Sequence, residues 1–198
     1  MKKYQIIYAD PAWDYHDEHR RKEDRFGGGA KGHYQTMDID DIKKLPIQEL
    51  SDQNCMLFIW VTFPLLQEGL DVIRAWGFDY KTLGFSWIKT NKRQLLNQYS
   101  FLPTDLDTFF GIGYYTKSNC EVCLIGVKGK PYKISDSVSS VVLASRREHS
   151  RKPDEVRDRI IELCGDLPRI ELFARQKTEG WDVWGNEVES DIDLMNIR

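Results

Sequence analysis

Seven consecutive apolar residues, Cys55 to Val61, constrain the fold more than any other stretch of this sequence. A strand that is apolar on both faces is typical of a parallel sheet whose two sides are covered by helices. We therefore predict a strand at Met56–Val61 inside an α/β sheet. Shorter apolar runs predict further strands at Tyr4–Ala9, Phe78–Ile88, Cys120–Val127 and Arg169–Phe173.

The stretches between these strands have the apolar spacing of helices. A polar helical stretch at Asp38–Leu50 is broken by Pro46, and a second helix runs from Leu65 to Gly77, a residue that suits a helix C-cap. A third helix opens at Pro153, and Gly165 after it predicts a left-handed cap. The alternation predicts an α/β fold, a mostly parallel sheet with helices on both faces and with functional groups at the carboxyl ends of its strands.

The length of 198 residues fits a single domain that spans residues 1–198. Two polar segments, about residues 14–36 and 91–118, are too long for ordinary connections and are predicted to be substrate loops. The longest apolar run is far shorter than the roughly 20 residues that span a bilayer, and no secretory leader follows Met1. We expect a soluble, cytoplasmic protein that makes no membrane contact.

The charge balance argues against one broad class of nucleic-acid binder. The chain has 28 basic and 31 acidic residues, whereas a protein that grips nucleic acid over a long footprint is usually basic. Any such contact must come from local basic clusters, although mixed charges in the first of them also suit a solvated surface. The clusters are Arg20–Lys22 with Arg25, Lys89 with Lys92 and Arg93, and Arg146–Lys152.

Metal and phosphate-loop sites find little support in the sequence. Cys120 and Cys123 have the spacing of a zinc pair, but a strand would point them to opposite faces, and no second pair stands nearby. We expect free thiols and no metal site. The glycine cluster Gly27–Gly32 lacks the residue order of a phosphate-binding loop and follows no strand, so a kinase or NTPase is not predicted.

The tetrad Asp10-Pro11-Ala12-Trp13, directly after the first predicted strand, carries the most specific chemistry. Asp10 and the Ala12 carbonyl can accept the two hydrogens of an exocyclic amine, while Trp13 offers a stacking surface for a flat base. Fixed acceptors for both hydrogens keep the nitrogen lone pair out of ring conjugation and make it nucleophilic. The alternative is an aspartate in a turn before proline, with Trp13 in the core.

This tetrad and other blocks resemble the MT-A70 family of adenine N6-methyltransferases, whose hallmark is Asp-Pro-Pro-Trp. The resemblance covers nearly the whole chain and implies a Rossmann-like fold that binds S-adenosylmethionine, with a permuted motif order that puts the catalytic motif first. The resembling blocks are Asp10–Trp13, Gly32–Met37, Leu57–Thr62, Trp76–Phe78, Trp87–Thr90, Leu124–Gly129, Arg147–Glu155, Ile170–Arg175 and Gly180–Glu187.

The resemblance also implies a role for individual residues. Asparagine and carboxylate side chains suit the ribose diol of the cofactor, and cations suit its carboxylate. The implied S-adenosylmethionine site comprises Asp10, Lys152, Glu171, Arg175, Asn186 and Glu187. The implied catalytic residues are Asp10, Pro11, Ala12 and Trp13, and the implied substrate-binding residues are Trp13, Tyr34 and Lys89. Salt bridges for Lys152 and Arg175, and a cap for Asn186, are the structural alternatives.

Three departures from the family pattern matter. Ala12 replaces the second proline; it keeps the carbonyl but loses rigidity worth about 0.4–1 kcal/mol. Lys177 stands where some relatives have histidine. The first predicted strand begins at Tyr4, so we expect any cofactor contact that relatives draw from an upstream segment to be missing or replaced. Asp10 and Trp13 are both kept, which favours a catalyst over an inactive partner subunit.

We therefore predict an S-adenosylmethionine-dependent methyltransferase that acts on N6 of adenine in nucleic acid. DNA is favoured over RNA because the chain is compact and resembles bacterial or phage members. An RNA methyltransferase and a non-catalytic nucleic-acid-binding subunit are the alternatives. A homodimer or a partner subunit is a further expectation, since no separate target-recognition domain fits in this length.

Overall fold

The computed structural model describes residues 2–14, 36–91, 108–109, 111, 115–147 and 151–196. Within these residues the chain forms a seven-stranded sheet and four α-helices. The strands are β1 (Tyr4–Ala9), β2 (Ser51–Val61), β3 (Asp79–Thr90), β4 (Cys120–Lys128), β5 (Val141–Ser145), β6 (Arg169–Leu172) and β7 (Asp182–Trp184). The helices are α1 (Ile39–Lys44), α2 (Ile47–Leu50), α3 (Leu66–Ala75) and α4 (Glu155–Cys164), and single 3₁₀ turns lie at Phe63–Leu65 and Leu194–Asn196.

The sheet has the strand order β5-β3-β4-β2-β1-β6-β7. β4 pairs antiparallel with β2 and β3, and the other pairings are parallel, which confirms the predicted mostly parallel sheet. Because β4 alone runs in the opposite direction, its amino end lies beside the carboxyl ends of the other strands. This common boundary is called the carboxyl edge below.

Helices cover both faces of the sheet, as predicted. Successive residues of β1 point to opposite sides, so Ile7 belongs to one apolar cluster and Tyr8 to the other. The Ile7 cluster includes Ile42 of α1 and Ile73 of α3, and the Tyr8 cluster includes Ile160 of α4. The sheet is therefore buried on both sides, which explains the continuous apolar run in β2.

Most predicted elements are confirmed, with differences at their ends. β2 begins at Ser51, before the predicted Met56, because its polar first half also pairs in the sheet. Pro46 separates α1 from α2 as predicted. β5 and β7 were not predicted: β7 has only three residues, and the apolar run of β5 was overlooked.

The two predicted glycine caps have different outcomes. Gly77 follows α3 with a φ of +80°, the left-handed region that favours glycine, so this cap is confirmed. Gly165 also has a positive φ of +89°, but its ψ of 177° is extended, so the prediction of a left-handed cap there is wrong. The reason is that the chain leaves α4 directly towards β6 after the Gly165 N–H donates to the Ile161 carbonyl.

Most of the two predicted substrate loops, including Tyr34, lies outside the described residues. Their role stays a prediction, as does the single-domain span of residues 1–198. In the part of the chain that the structure describes, no helix combines the length and apolar character needed to cross a membrane.

Candidate active site

The tetrad Asp10–Trp13 forms a tight turn where β1 leaves the sheet at its carboxyl edge. The Asp10 N–H lies 3.4 Å from the Leu172 carbonyl, and the Trp13 N–H donates to the Pro11 carbonyl at 2.9 Å. The Ala12 carbonyl accepts the Met37 N–H at 2.9 Å. Ala12 therefore has one lone pair already engaged and a second available, because a carbonyl oxygen can accept two hydrogen bonds.

Trp13 lies in the core rather than at an open surface. Its side chain is 5% exposed within the Ile7 cluster, and its indole N–H donates to the Trp60 carbonyl at 3.0 Å. The expected stacking face is covered in this arrangement, so the structure agrees with the alternative in which Trp13 is a core residue. Its contact with Trp60 ties the turn after β1 to the end of β2.

Four charged side chains form a chain of alternating sign at the carboxyl edge. The Lys152 ammonium lies 2.7 and 2.8 Å from the two carboxylate oxygens of Asp10 and 3.3 Å from Glu121. Glu121 in turn accepts the Lys89 ammonium at 2.5 Å. The four side chains are only 10–24% exposed, so neighbouring charges interact through little solvent.

Burial and neighbouring charges shift three of these groups in different directions. Burial raises the pKa of Asp10 above its usual value, and Glu121 adds to this effect, while Lys152 and Arg175 oppose it. Burial alone would lower the pKa of Lys152, but the Asp10 and Glu121 carboxylates raise it, so the ammonium stays charged. For Glu121, the two lysines outweigh the effect of burial and lower the pKa. Of the two carboxylates, Asp10 is therefore the one whose pKa is raised and Glu121 the one whose pKa is lowered.

Glu121 is a site residue that the sequence analysis missed. It lies on β4, an otherwise apolar strand, and the antiparallel direction of β4 brings its amino end to the carboxyl edge. The signal was present in the sequence, since an acidic residue inside a strand buried on both faces needs a partner. The run Cys120–Val127 was predicted as a strand, and only its cysteines were considered as functional groups.

Glu171 lies deeper than the other predicted cofactor residues. It is 6% exposed on β6, and both carboxylate oxygens accept from the Arg157 guanidinium, at 2.6 and 2.7 Å. Arg157 also donates to Asp154 at 3.0 Å. Because both Glu171 oxygens are paired with an arginine of α4, this ion pair anchors the helix to the sheet.

The turns after β6 and β7 meet beside Asp10. Phe173 has a φ of +62°, which is uncommon for a residue other than glycine, and turns the chain sharply after β6. The next residue, Ala174, donates its N–H to the Trp184 carbonyl at 2.9 Å. A side chain at Gly185 would come within 2.1 Å of the Ala174 carbonyl, so only glycine lets the two turns lie this close.

Three predicted cofactor residues lie on these two turns. The Arg175 Nε lies 3.6 Å from a carboxylate oxygen of Glu187, and their side chains are 34% and 55% exposed. Asn186 is exposed at the turn after β7. All three side chains reach solvent. A cation such as Arg175 suits the carboxylate of S-adenosylmethionine, and an amide and a carboxylate such as Asn186 and Glu187 suit its ribose hydroxyls.

The cysteines lie mostly in the interior. Cys55, Cys123 and Cys164 are buried free thiols, and Cys120 is partly exposed on β4. Burial raises the pKa of Cys123, so this thiol near Asp10 stays protonated. Among the described residues, no group of three or more His, Cys, Asp or Glu side chains is arranged to hold a metal ion.

Comparison with known proteins identifies relatives whose similarity covers nearly the whole chain, including the residues of this site. The MT-A70 family matches residues 4–187. The chain is 32% identical over 201 residues to the type II methyltransferase M.MunI of Mycoplasma sp, which covers 94% of this chain and 78% of that relative. It is 30% identical to the METTL3 N(6)-adenosine-methyltransferase subunit of Danio rerio and 29% identical to the catalytic subunit METTL3 of Homo sapiens, each over 192 residues. These two matches cover 96% of this chain but only 29% of each METTL3, so the chain spans under a third of their length.

Proposed function

The chain belongs to the MT-A70 family of methyltransferases, and from that membership we propose that it transfers a methyl group from S-adenosylmethionine to N6 of adenine in a nucleic acid, with DNA as the favoured class. The observation that carries this proposal is the position of Asp10. Its carboxylate is fixed by Lys152 at the end of β1, which pairs with β6, and the charge of Arg175 on the turn after β6 acts on it. Catalytic and cofactor chemistry would therefore meet at one place on the carboxyl edge.

In this proposal the cofactor occupies the side of Asp10 that faces β6 and β7. Arg175 and the charge of Lys152 would hold its carboxylate, and Asn186 and Glu187 would hold its ribose hydroxyls. Glu171 would act indirectly, since its oxygens are engaged by Arg157. S-adenosylmethionine, when bound, supplies an electrophilic methyl group on a sulfonium.

The chain's own contribution is to orient and activate the adenine amine. Asp10 and the second lone pair of the Ala12 carbonyl would accept the two N6 hydrogens, which keeps the nitrogen lone pair directed at the methyl group. Pro11 stiffens the turn that sets the spacing of the two acceptors. After transfer, the proton from N6 passes to Asp10, whose pKa is raised by burial, or to water.

Trp13 takes a positioning role in the proposed mechanism. Its indole is bonded to Trp60, so it fixes the turn that carries Asp10 instead of stacking on the base. Lys89 would stand on the substrate side, where its ammonium is bonded to Glu121. Tyr34 remains a proposed adenine contact from the sequence alone.

Two candidate substrates share this chemistry. DNA is favoured because, of the three relatives reported, the type II methyltransferase has the highest identity and its match spans most of both chains. The METTL3 relatives are named for adenosine, the ribonucleoside, which keeps RNA as the competing class. A homodimer or a partner subunit stays a prediction.

The proposal is tested by transfer of labelled methyl to sequence-matched duplex DNA, single-stranded DNA and RNA, followed by nucleoside analysis. We expect N6-methyladenine in DNA, with less or none in RNA. N6-methyladenine in RNA alone would overturn the substrate class and keep the chemistry. Absence of transfer and of S-adenosylmethionine binding would overturn the proposed function.

A further inference from the structure

Arg146 differs from the other arginines that follow β5. Arg147 and Arg151 pair with the Asp154 carboxylate, and Arg157 pairs with both Asp154 and Glu171, so each of these charges has an acidic partner. Arg146 is exposed, and within the described residues it has no acidic partner. Its charge is therefore available to an external anion.

Arg146 is nevertheless held in a defined place. Its guanidinium carbon lies 3.4 Å from the centre of the Phe109 ring, the distance of a stacked cation–π pair. The Phe109 N–H donates to the Lys89 carbonyl at 2.7 Å, and the adjacent Thr108 forms a bridge with Thr90. These backbone contacts fix the ring to the end of β3.

The stacked guanidinium is well suited to bind a phosphate. One face is covered by the ring, which removes part of its hydration, while no acceptor among the described residues takes the N–H groups at its rim. An arginine fork matches two phosphate oxygens, and an arginine is more weakly hydrated than a lysine. A pre-positioned arginine also loses less side-chain entropy on binding than a free one.

The position of Arg146 relates it to the proposed active site. It follows β5, and Asp10 follows β1, so both lie at the carboxyl edge with four strand-to-strand steps between them. At about 4.8 Å per step the separation is about 19 Å. Along one strand of duplex DNA, at about 3.4 Å per nucleotide, this corresponds to about six nucleotides.

We propose that Arg146, stacked on Phe109, binds a backbone phosphate of the nucleic acid several nucleotides away from the target adenine. This inference rests on the proposed function, because it assumes that the adenine is bound at Asp10. In this proposal the nucleic-acid strand next to the target adenine lies along the β3–β5 end of the carboxyl edge. The β6–β7 end is left to the cofactor.

The test is a binding titration of the full chain with a fluorescent 16-base-pair DNA duplex with a central adenine, between 50 and 200 mM salt. Arg146→Gln should weaken binding and lower the slope of log affinity against log salt by about 0.9, the value for one lost phosphate contact. The ratio of the wild-type affinity to the variant's affinity should therefore fall about three-fold between 50 and 200 mM salt. A merely structural lesion would weaken binding equally at every salt concentration.

Two further variants separate charge from general damage. Lys130→Gln removes an exposed cation after β4, at the opposite edge of the sheet, and should leave the slope unchanged. Phe109→Leu keeps the Arg146 charge and should weaken binding by a smaller factor with little change of slope. A trinucleotide centred on adenine is too short to reach Arg146, so Arg146→Gln should bind it as the wild type does.

The results distinguish the two proposals. An unchanged salt slope for Arg146→Gln, or an equal loss with the trinucleotide, would overturn the phosphate contact while leaving the proposed function intact. A wild-type chain that binds no nucleic acid of any length would overturn both.

Discussion

The Lys152 ammonium bridges both carboxylate oxygens of Asp10, at 2.7 and 2.8 Å, although the two residues are 142 positions apart in the chain. Lys152 stands just before α4, and Asp10 stands just after β1, so the contact forms only when the helix packs on the sheet. The charge state of the proposed catalytic aspartate therefore depends on the folded structure.

The pH dependence of kcat/KM for nucleic acid should report the ionisation of Asp10. Because burial raises the Asp10 pKa, the rate should fall with acid at a higher pH than an ordinary aspartate would give. Lys152→Met removes a cation that lowers this pKa, so the acid limb should move to higher pH. Glu121→Gln removes an anion that raises it, so the acid limb should move to lower pH.

The two variants serve as controls for each other in that measurement, which is made at saturating cofactor. Because Lys152 lowers the Asp10 pKa and Glu121 raises it, the two variants should shift the acid limb in opposite directions. Shifts of the same sign, or none, would mean that Asp10 is not the group that limits the rate in acid.

Trp13→Phe should reduce stability and leave substrate recognition unchanged. The change removes the indole N–H and leaves the buried Trp60 carbonyl without its donor, at a cost of about 1–3 kcal/mol in the free energy of unfolding. Trp181→Phe is the matched control, since Trp181 is also 5% exposed but its indole N–H makes no hydrogen bond within the described residues. A raised KM for nucleic acid with unchanged stability would instead show that Trp13 contacts the base.

Glu171→Gln should unfold more easily in denaturant because it leaves the Arg157 charge partly uncompensated in the interior. The side chains of this pair are 8% and 11% exposed, so we expect a loss of about 3 kcal/mol. Glu155→Gln breaks a more exposed pair with Arg159 on the same helix and should cost about 0.5 kcal/mol. Equal losses for the two variants would contradict the anchoring role of Glu171.

Asn186→Ala should raise the KM for S-adenosylmethionine by about five- to ten-fold, the value of one or two lost hydrogen bonds, without changing kcat at saturating cofactor. Asn196→Ala removes an exposed asparagine that donates to Asp193, and it should leave both constants unchanged. Isothermal titration with the cofactor gives the same comparison without turnover. An unchanged cofactor affinity for Asn186→Ala would remove this residue from the proposed site.

The sequence predicted the layers of the fold because burial leaves a direct signal in the residue pattern. The apolar run at Cys55–Val61 required cover on both faces, and the structure has helices on both. The antiparallel direction of β4 left no comparable signal. Since this direction brings Glu121 to the carboxyl edge, the residue was overlooked although its type and strand were known.

Side-chain direction accounts for the other differences between prediction and structure. Trp13 could have stacked on a base or lain in the core, and its indole is buried and donates to the Trp60 carbonyl. Glu171 was expected in the cofactor site, but both of its oxygens accept from Arg157 on α4. Both contacts join residues that are far apart in the chain, and no local spacing encodes them.

The most direct test of the account is methyl transfer by Asp10→Asn, compared with the wild type on the same adenine-containing DNA duplex. The variant keeps the shape of the side chain and loses the carboxylate that is proposed to hold the N6 hydrogens. We predict that kcat falls by about 100- to 1000-fold at a temperature where both proteins are folded, while the affinity for S-adenosylmethionine stays close to that of the wild type. Turnover by Asp10→Asn within a few-fold of the wild-type rate would contradict the proposed role of Asp10.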